Sequence, residues 1–210
     1  MPISHEDKII FVHIPKTGGA SIEKSLGIFG NDNNGNLEPN FEILYGQTKD
    51  KILQHLKIEE IKKLKKKEFE TFKLVSFVRN PYERVLSKYY HDVKIARPDK
   101  PGSTRDCNNF NDWIIKHQRG LSKFLRTQYS YVYDKNGNNL ADFIGKFENF
   151  ENDVQIIKEK LGLKAKLEHK NKNPIKKDID WLSEYTQQGL EIVNRTYLCD
   201  FKVFNYEMKY

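Results

Sequence analysis

The chain has 210 residues, 38% hydrophobic and 12% aromatic, which is enough to bury one core and excludes a disordered polymer. Its 36 lysines and arginines outnumber 29 acidic residues, giving a formal charge of +7. That balance favours an anionic ligand: a nucleotide, an acidic or sulfated sugar, nucleic acid or a membrane surface.

The first predicted element is the apolar run KIIFVHI (8–14), of the kind that forms a buried parallel strand. No charged leader, long apolar core and cleavage site precede it, and no run reaches the roughly 20 apolar residues of a membrane span. A soluble cytoplasmic protein is the expectation. Cys107 and Cys199 make neither a disulfide framework nor a metal-ligand spacing, so both are expected to be reduced and no metal is expected. After the strand come Pro15, Lys16, Thr17, Gly18 and Gly19, then a short helix over ASIEKSL.

Residues 29–40 are rich in Asn and Gly and predict a surface loop. KIEEIKKLKKKEF (57–69) sets Ile58, Ile61 and Leu64 at helical spacing among lysines and predicts one helix. KLVSFVRN (73–80) predicts a second strand, stopped by Pro81, which suits the first turn of the next helix. That helix runs to about Ile95 with Tyr82, Val85, Leu86, Tyr89 and Val93 on one face. Residues 96–109 predict a loop and FNDWIIKHQ a helix. Residues 129–147 predict two extended segments around Asn136-Gly137, and 148–163 an amphipathic helix ending at Gly162. A basic loop, 164–177, precedes a mainly helical C-terminal third. Strands alternating with helices, without repeats or a linker, predict a single α/β domain over 1–210, a central parallel sheet flanked by helices.

Two stretches carry chemistry. In IPKTGGAS, glycines allow close backbone approach, and N–H groups from about Thr17 to Ser21 can converge on one anion at a helix N-terminus. Lys16 adds a positive charge, and Thr17 and Ser21 add hydroxyl donors. A plain strand–helix turn is the competing reading. In VSFVRNPYERVLSKYY, Arg79 stands at the carboxyl end of a strand, where open α/β sheets bind ligands, and its planar fork suits a phosphate. Ser87 lies on the following helix, close enough to share that phosphate.

Together, FVHIPKTGGASI and FVRNPYERVLSKYY resemble the two cofactor signatures of the sulfotransferases, closest to the carbohydrate branch related to heparan sulfate 2-O-sulfotransferases and bacterial relatives. DFIGKFENFENDVQIIKEKLGL and YLCDFKVFNY resemble that branch in the same order. The resemblance implies a P-loop-like α/β fold and 3′-phosphoadenosine 5′-phosphosulfate (PAPS) as sulfate donor. It implies that Lys16, Thr17, Gly18, Gly19, Ala20 and Ser21 hold the 5′-phosphosulfate, and that Arg79 and Ser87 hold the 3′-phosphate. The position of the lysine, ahead of the glycines, then serves a sulfuryl group leaving a phosphate.

The reaction so implied is in-line transfer to an acceptor hydroxyl, with Lys16 neutralising the bridging oxygen and a general base taking the proton. His55 sits where related enzymes place a catalytic histidine. His91 is a second candidate, His13 suits core packing beside the loop, and His5, His117 and His169 have no motif. Gln128 and Tyr131 resemble positions near the cofactor or acceptor. Trp113, Tyr129, Tyr131 and Tyr133 could stack on a sugar or adenine, though most suit a core; the lysines of 62–67 could bind a polyanion but read more readily as a solvated helix face, and 164–177 is the better candidate for an acceptor rim. The expected partner is a glycan or glycoconjugate hydroxyl; no basic aromatic face suggests nucleic acid. An ATP-dependent kinase-like enzyme is a rival, though it lacks a G-x-x-x-x-G-K-[ST] loop. A non-catalytic anion- or glycan-binding module on the same fold is another.

Overall fold

The structure is a computed structural model and describes residues 2–26, 41–43, 53–95, 104, 106–163 and 180–210. These residues pack as two units, Met1–Val78 with Ser130–Ile175, and Arg79–Tyr129 with Lys176–Tyr210.

The first unit is built on a sheet of strands β1 (Pro2–Ser4), β2 (Ile9–Val12), β3 (Phe41–Ile43), β4 (Lys73–Val78) and β5 (Phe143–Lys146), in the order β3-β1-β2-β4-β5. The continuous apolar runs take the centre. Ile9 to Val12 are all fully buried, as a strand covered on both faces must be. β2, β4 and β5 are parallel, with Val12 opposite Ser76 and Val75 opposite Phe143. Ser76 is the one hydroxyl within β4, and its Oγ donates to the Val12 carbonyl at 2.8 Å, which removes the penalty of burying it.

Helices α1 (Gly19–Leu26) and α8 (Phe150–Leu161) cover this sheet through a core of Ile9, Phe11, Ile22, Leu26, Val75, Phe77, Val154 and Ile157. Each such side chain contributes roughly 1.5–3 kcal/mol on burial. α8 stops at Gly162, whose φ of 63° places it in the left-handed region that ends helices.

The expected central parallel sheet is present in β2, β4 and β5, and β1 and β3 extend it with antiparallel strands on the β2 side. Two expectations for this unit change. The helix expected over 57–69 is two, α2 (Ile58–Leu64) and α3 (Lys66–Thr71), broken where Lys65 adopts φ −132° and ψ 57°. The hairpin expected over 129–147 keeps its Asn136-Gly137 turn, with Tyr133 bridged to Asn139, but its first arm opens as a helical turn, α7 (Tyr129–Val132). The loops expected over 29–40 and 164–177, and most of 96–109, lie outside the described residues.

The second unit is helical. α4 (Pro81–Ile95) begins as Pro81 requires, with Asn80 Oδ1 accepting the Tyr82 N–H at 2.9 Å. It packs with α5 (Phe110–His117), α6 (Leu121–Phe124), α9 (Gln187–Thr196) and α10 (Leu198–Val203). Tyr82, Val85, Leu86, Trp113, Ile114, Val193, Tyr197 and Phe201 form the centre of this core. Tyr89 packs at its edge, whereas Val93, placed by periodicity on the same face, is 46% exposed. Buried phenols find acceptors: Tyr185 donates to the Tyr82 carbonyl at 2.7 Å and Tyr197 to the Leu125 carbonyl at 2.8 Å.

Candidate functional site

The loop between β2 and α1 leaves the sheet at the carboxyl end of a parallel strand. Its turn is set by two backbone positions in the left-handed region, Lys16 at φ 69° and Gly18 at φ 78°. Gly18 then accepts the N–H groups of Ser21 and Ile22 at 2.9 and 3.1 Å, which starts α1. The N–H groups of Gly19 and Ala20 belong to the first turn of that helix, where N–H groups point out of the N-terminus with the positive end of its dipole. Ala20 is exposed, and Lys16 and Ser21 are half-exposed. The turn thus presents main-chain N–H groups at the head of α1, with Lys16 beside them.

Both glycines are demanded by packing as well. A Cβ on Gly18 would lie 2.3 Å from Phe147 Cε2, and a Cβ on Gly19 would lie 2.1 Å from His13 Nε2. Phe147 and His13 therefore press the loop from beneath. His13 is buried, and its Nδ1 donates to Glu23 Oε1 at 2.8 Å, also buried. Glu23 is one helical turn after Gly19, so one imidazole spans that face of α1.

Thr17 departs from expectation. It is fully buried and its hydroxyl donates to the Ile14 carbonyl at 2.9 Å, which closes the turn. Its side-chain proton is committed to the fold, leaving only main chain to offer a ligand.

His55 ends a one-turn 3₁₀ helix, Leu53–His55, and approaches the same loop. Its Nδ1 is 3.0 Å from the His13 carbonyl oxygen, and its ring stands edge-on to the His13 ring at 4.8 Å. A carbonyl only accepts, so Nδ1 carries the proton and the basic lone pair of the neutral ring is on Nε2.

In the second unit, Arg79 is held on three sides. Its N–H donates to Gln128 Oε1 at 2.8 Å, and Gln128 Nε2 donates back to the Arg79 carbonyl at 2.8 Å. Its guanidinium pairs with Glu83, Nη2 at 2.9 Å and Nε at 3.3 Å from one carboxylate oxygen. Ser87 lies one further turn along α4 and is half-exposed. Asp200 accepts the N–H groups of Gln128 and Tyr129 at 2.8 and 2.9 Å. Burial pushes the Asp200 carboxyl above its ordinary range, against the opposing pull of Arg84 and those N–H groups.

Gln128, expected at the cofactor or acceptor, is fully buried with its amide turned onto the Arg79 main chain. Tyr131 is 4% exposed on α7, which leaves no open ring face for a sugar. Trp113 is core. His91 is exposed and pairs with Asp92 at 3.4 Å, His117 bonds the Trp113 carbonyl at 2.8 Å, and His5 meets Phe72 edge-on. His169 lies outside the described residues. Lys16, Gly18, Gly19, Ser21 and His55 come together in the first unit; Arg79, Ser87 and Gln128 belong to the second.

Sequence reasoning passed over Glu23, Phe147, Glu83 and Asp200. Glu23 and Glu83 had a faint signal, each four residues after a motif residue on a helix. Phe147 and Asp200 lie in the two later stretches that resemble the family, but nothing in the sequence tied either to the Lys16 or Arg79 motif, and only the tertiary fold brings them there. Among the described residues, no group of His, Cys, Asp and Glu is arranged to hold a metal, and no helix is long and apolar enough to cross a membrane.

The comparisons agree with the motifs. An uncharacterized protein of Archaeoglobus fulgidus is 28% identical over 114 residues, which cover 49% of this chain and 78% of that one. No solved structure matches. A model of the "Sulfotransferase family" matches residues 1–207, a span that holds both the Lys16 loop and the Arg79 motif. The chain belongs to the sulfotransferase family.

Proposed function

We propose that this chain transfers the sulfuryl group of PAPS to a hydroxyl of a carbohydrate or glycoconjugate by in-line displacement. The observation that carries the reading is the Lys16 loop at the head of α1 with His55 beside it, its Nδ1 fixed as donor to the His13 carbonyl at 3.0 Å. PAPS supplies a sulfuryl group on a phosphate leaving group. The main chain of residues 16–21 and the Ser21 hydroxyl hold the 5′-phosphosulfate, with Thr17 contributing through its backbone alone. Arg79 and Ser87 hold the 3′-phosphate.

His55 Nε2 takes the proton of the acceptor hydroxyl as the new O–S bond forms. The S–O bond to the phosphate breaks, its electron pair stays on the bridging oxygen, and Lys16 neutralises that charge. No step calls for a metal. The carbohydrate acceptor follows from the resemblance of both motifs to that branch, and the chain's +7 charge accords with an acidic glycan. Residence in the cytoplasm, with Cys107 and Cys199 reduced, belongs to the same reading.

Ligand-dependent unfolding separates this from the rivals. Adenosine 3′,5′-bisphosphate at a hundredfold excess over its Kd should stabilise the protein by about 2.7 kcal/mol, with ATP and magnesium far behind. Sulfate-labelled PAPS should then pass label to a glycan and lose that ability in His55→Ala. Bisphosphate binding with no transfer to any hydroxyl class would favour a binding module, and stronger stabilisation by ATP with magnesium would favour a kinase.

A further inference from the structure

The contacts around Arg79 point to more than a buried glutamine. Gln128 is fully buried, and both functional atoms of its amide are used on one peptide unit's flanks, the N–H and C=O of Arg79, each at 2.8 Å. Only one amide orientation satisfies a donor and an acceptor together, so this side chain reads the Arg79 main chain as a neighbouring strand would. Gln128 is itself fixed, because its own N–H and that of Tyr129 are both taken by Asp200. Asp200 is fully buried on α10, and Arg84 is the opposite charge nearest to it in effect.

The consequence is geometric. Arg79 follows β4 and precedes the Pro81 that starts α4, a junction with no regular ladder of its own. An arginine there has four rotatable side-chain bonds, and a small backbone rotation displaces its guanidinium by ångströms. The Gln128 amide removes the backbone freedom, and Glu83, one turn ahead on α4, orients the fork from the other end.

We propose that Gln128 and Asp200 are positioning residues that fix Arg79 for the 3′-phosphate and so set selectivity for a 3′-phosphorylated nucleotide. This rests on the assignment of Arg79 to that phosphate. Neither residue touches the nucleotide; each acts through the Arg79 main chain.

The test is a comparison of two affinities in three proteins. Kd values for adenosine 3′,5′-bisphosphate and adenosine 5′-phosphate are measured by calorimetry for the wild type, Gln128→Met and Asp200→Asn. Both substitutions conserve volume, and circular dichroism checks the fold. In the wild type the bisphosphate should bind more tightly. Gln128→Met should weaken the bisphosphate about tenfold, the scale of one charge-assisted hydrogen bond, while changing the monophosphate less than about twofold. Asp200→Asn should shift the ratio in the same direction by less, and it stands as the test if Gln128→Met does not fold.

Equal weakening of both nucleotides, or an unchanged ratio in the variants beside a selective wild type, would leave Gln128 and Asp200 as fold residues and overturn the proposal while the Arg79 assignment stands. A wild type that does not distinguish the nucleotides would overturn the assignment and the proposal with it.

Discussion

Replacing Gly19 with alanine tests the packing beneath the anion loop directly. The new methyl carbon would lie 2.1 Å from His13 Nε2 and 2.5 Å from two of its ring carbons. The ring has no easy retreat, because Nδ1 is bonded to buried Glu23 at 2.8 Å and the ring meets those of Phe11 and His55. Overpacking of this kind costs about 1–3 kcal/mol. Turning the ring away also breaks a hydrogen bond to a charged partner, about 1.5–3 kcal/mol. Alanine returns up to about 1 kcal/mol as the better helix former. The net loss of stability should be roughly 2–4 kcal/mol. In a His13→Ala background the clash is absent, and the same substitution should be neutral or stabilising by up to about 1 kcal/mol. Urea unfolding of the four proteins gives the coupling free energy, expected near 3 kcal/mol by difference of those figures. A Gly19→Ala protein as stable as wild type, or an equal loss with and without the His13 ring, would refute the clash as the reason for this glycine.

Three further outcomes follow from the same contacts. Lys16→Gly should relieve the left-handed backbone at φ 69° and raise stability by about 0.5–1 kcal/mol while transfer falls about 10²–10³-fold; denaturation and labelled-sulfate transfer measured side by side would expose a lysine that serves only the fold. Thr17→Val should lower unfolding stability by about 1–3 kcal/mol by orphaning the Ile14 carbonyl, and Thr17→Ser should restore it; a valine variant at wild-type stability would contradict the buried bond. The Asp200 carboxyl is raised by burial, so between its unfolded and folded pKa the folded protein binds the extra proton. It therefore takes stability away as pH rises through that window. The wild type's unfolding free energy, less that of Asp200→Asn, should fall as pH rises from about 3.8, the ordinary value, and level off only above the raised folded pKa; a difference that rises with pH would refute the shift.

The central strands were legible because IIFV and KLVSFV are apolar runs too short for helices and too continuous for a half-exposed sheet. β1 and β3 were not, being three residues each with no alternation to read. The break at Lys65 was hidden because the lysines on either side continue a helical composition. The region from Tyr129 misled for a tertiary reason. Its tyrosines and valine favour strands, yet the N–H groups of Gln128 and Tyr129 are capped by the carboxylate of Asp200, about 70 residues away in sequence. At the site, the strand–turn–helix around Lys16 was readable from the order of its residues, whereas His55 was singled out by resemblance alone and the structure adds its contact with the His13 carbonyl. The roles of Thr17 and Gln128 were not readable. A hydroxyl or amide near an anion motif looks the same in sequence whether it faces ligand or fold, and only its burial and partners decide.

That distinction sharpens what Lys16 is for. Thr17 and Lys16 are neighbours in a loop where both side chains suit an anion. Thr17 is buried and closes the turn through the Ile14 carbonyl, a role that needs a hydroxyl there with or without a ligand. Lys16 is half-exposed and sits at φ 69°, a conformation that glycine adopts without the penalty of about 1 kcal/mol that a side chain incurs. The backbone dihedral by itself favours glycine at that position. Strain of this kind at a non-glycine residue points to a functional reason for the side chain, which the proposed role of the Lys16 ammonium supplies. The loop thus has two kinds of polar residue, a buried one whose hydroxyl closes the turn and a half-exposed one whose backbone is strained, and the proposed charge neutralisation falls to the second.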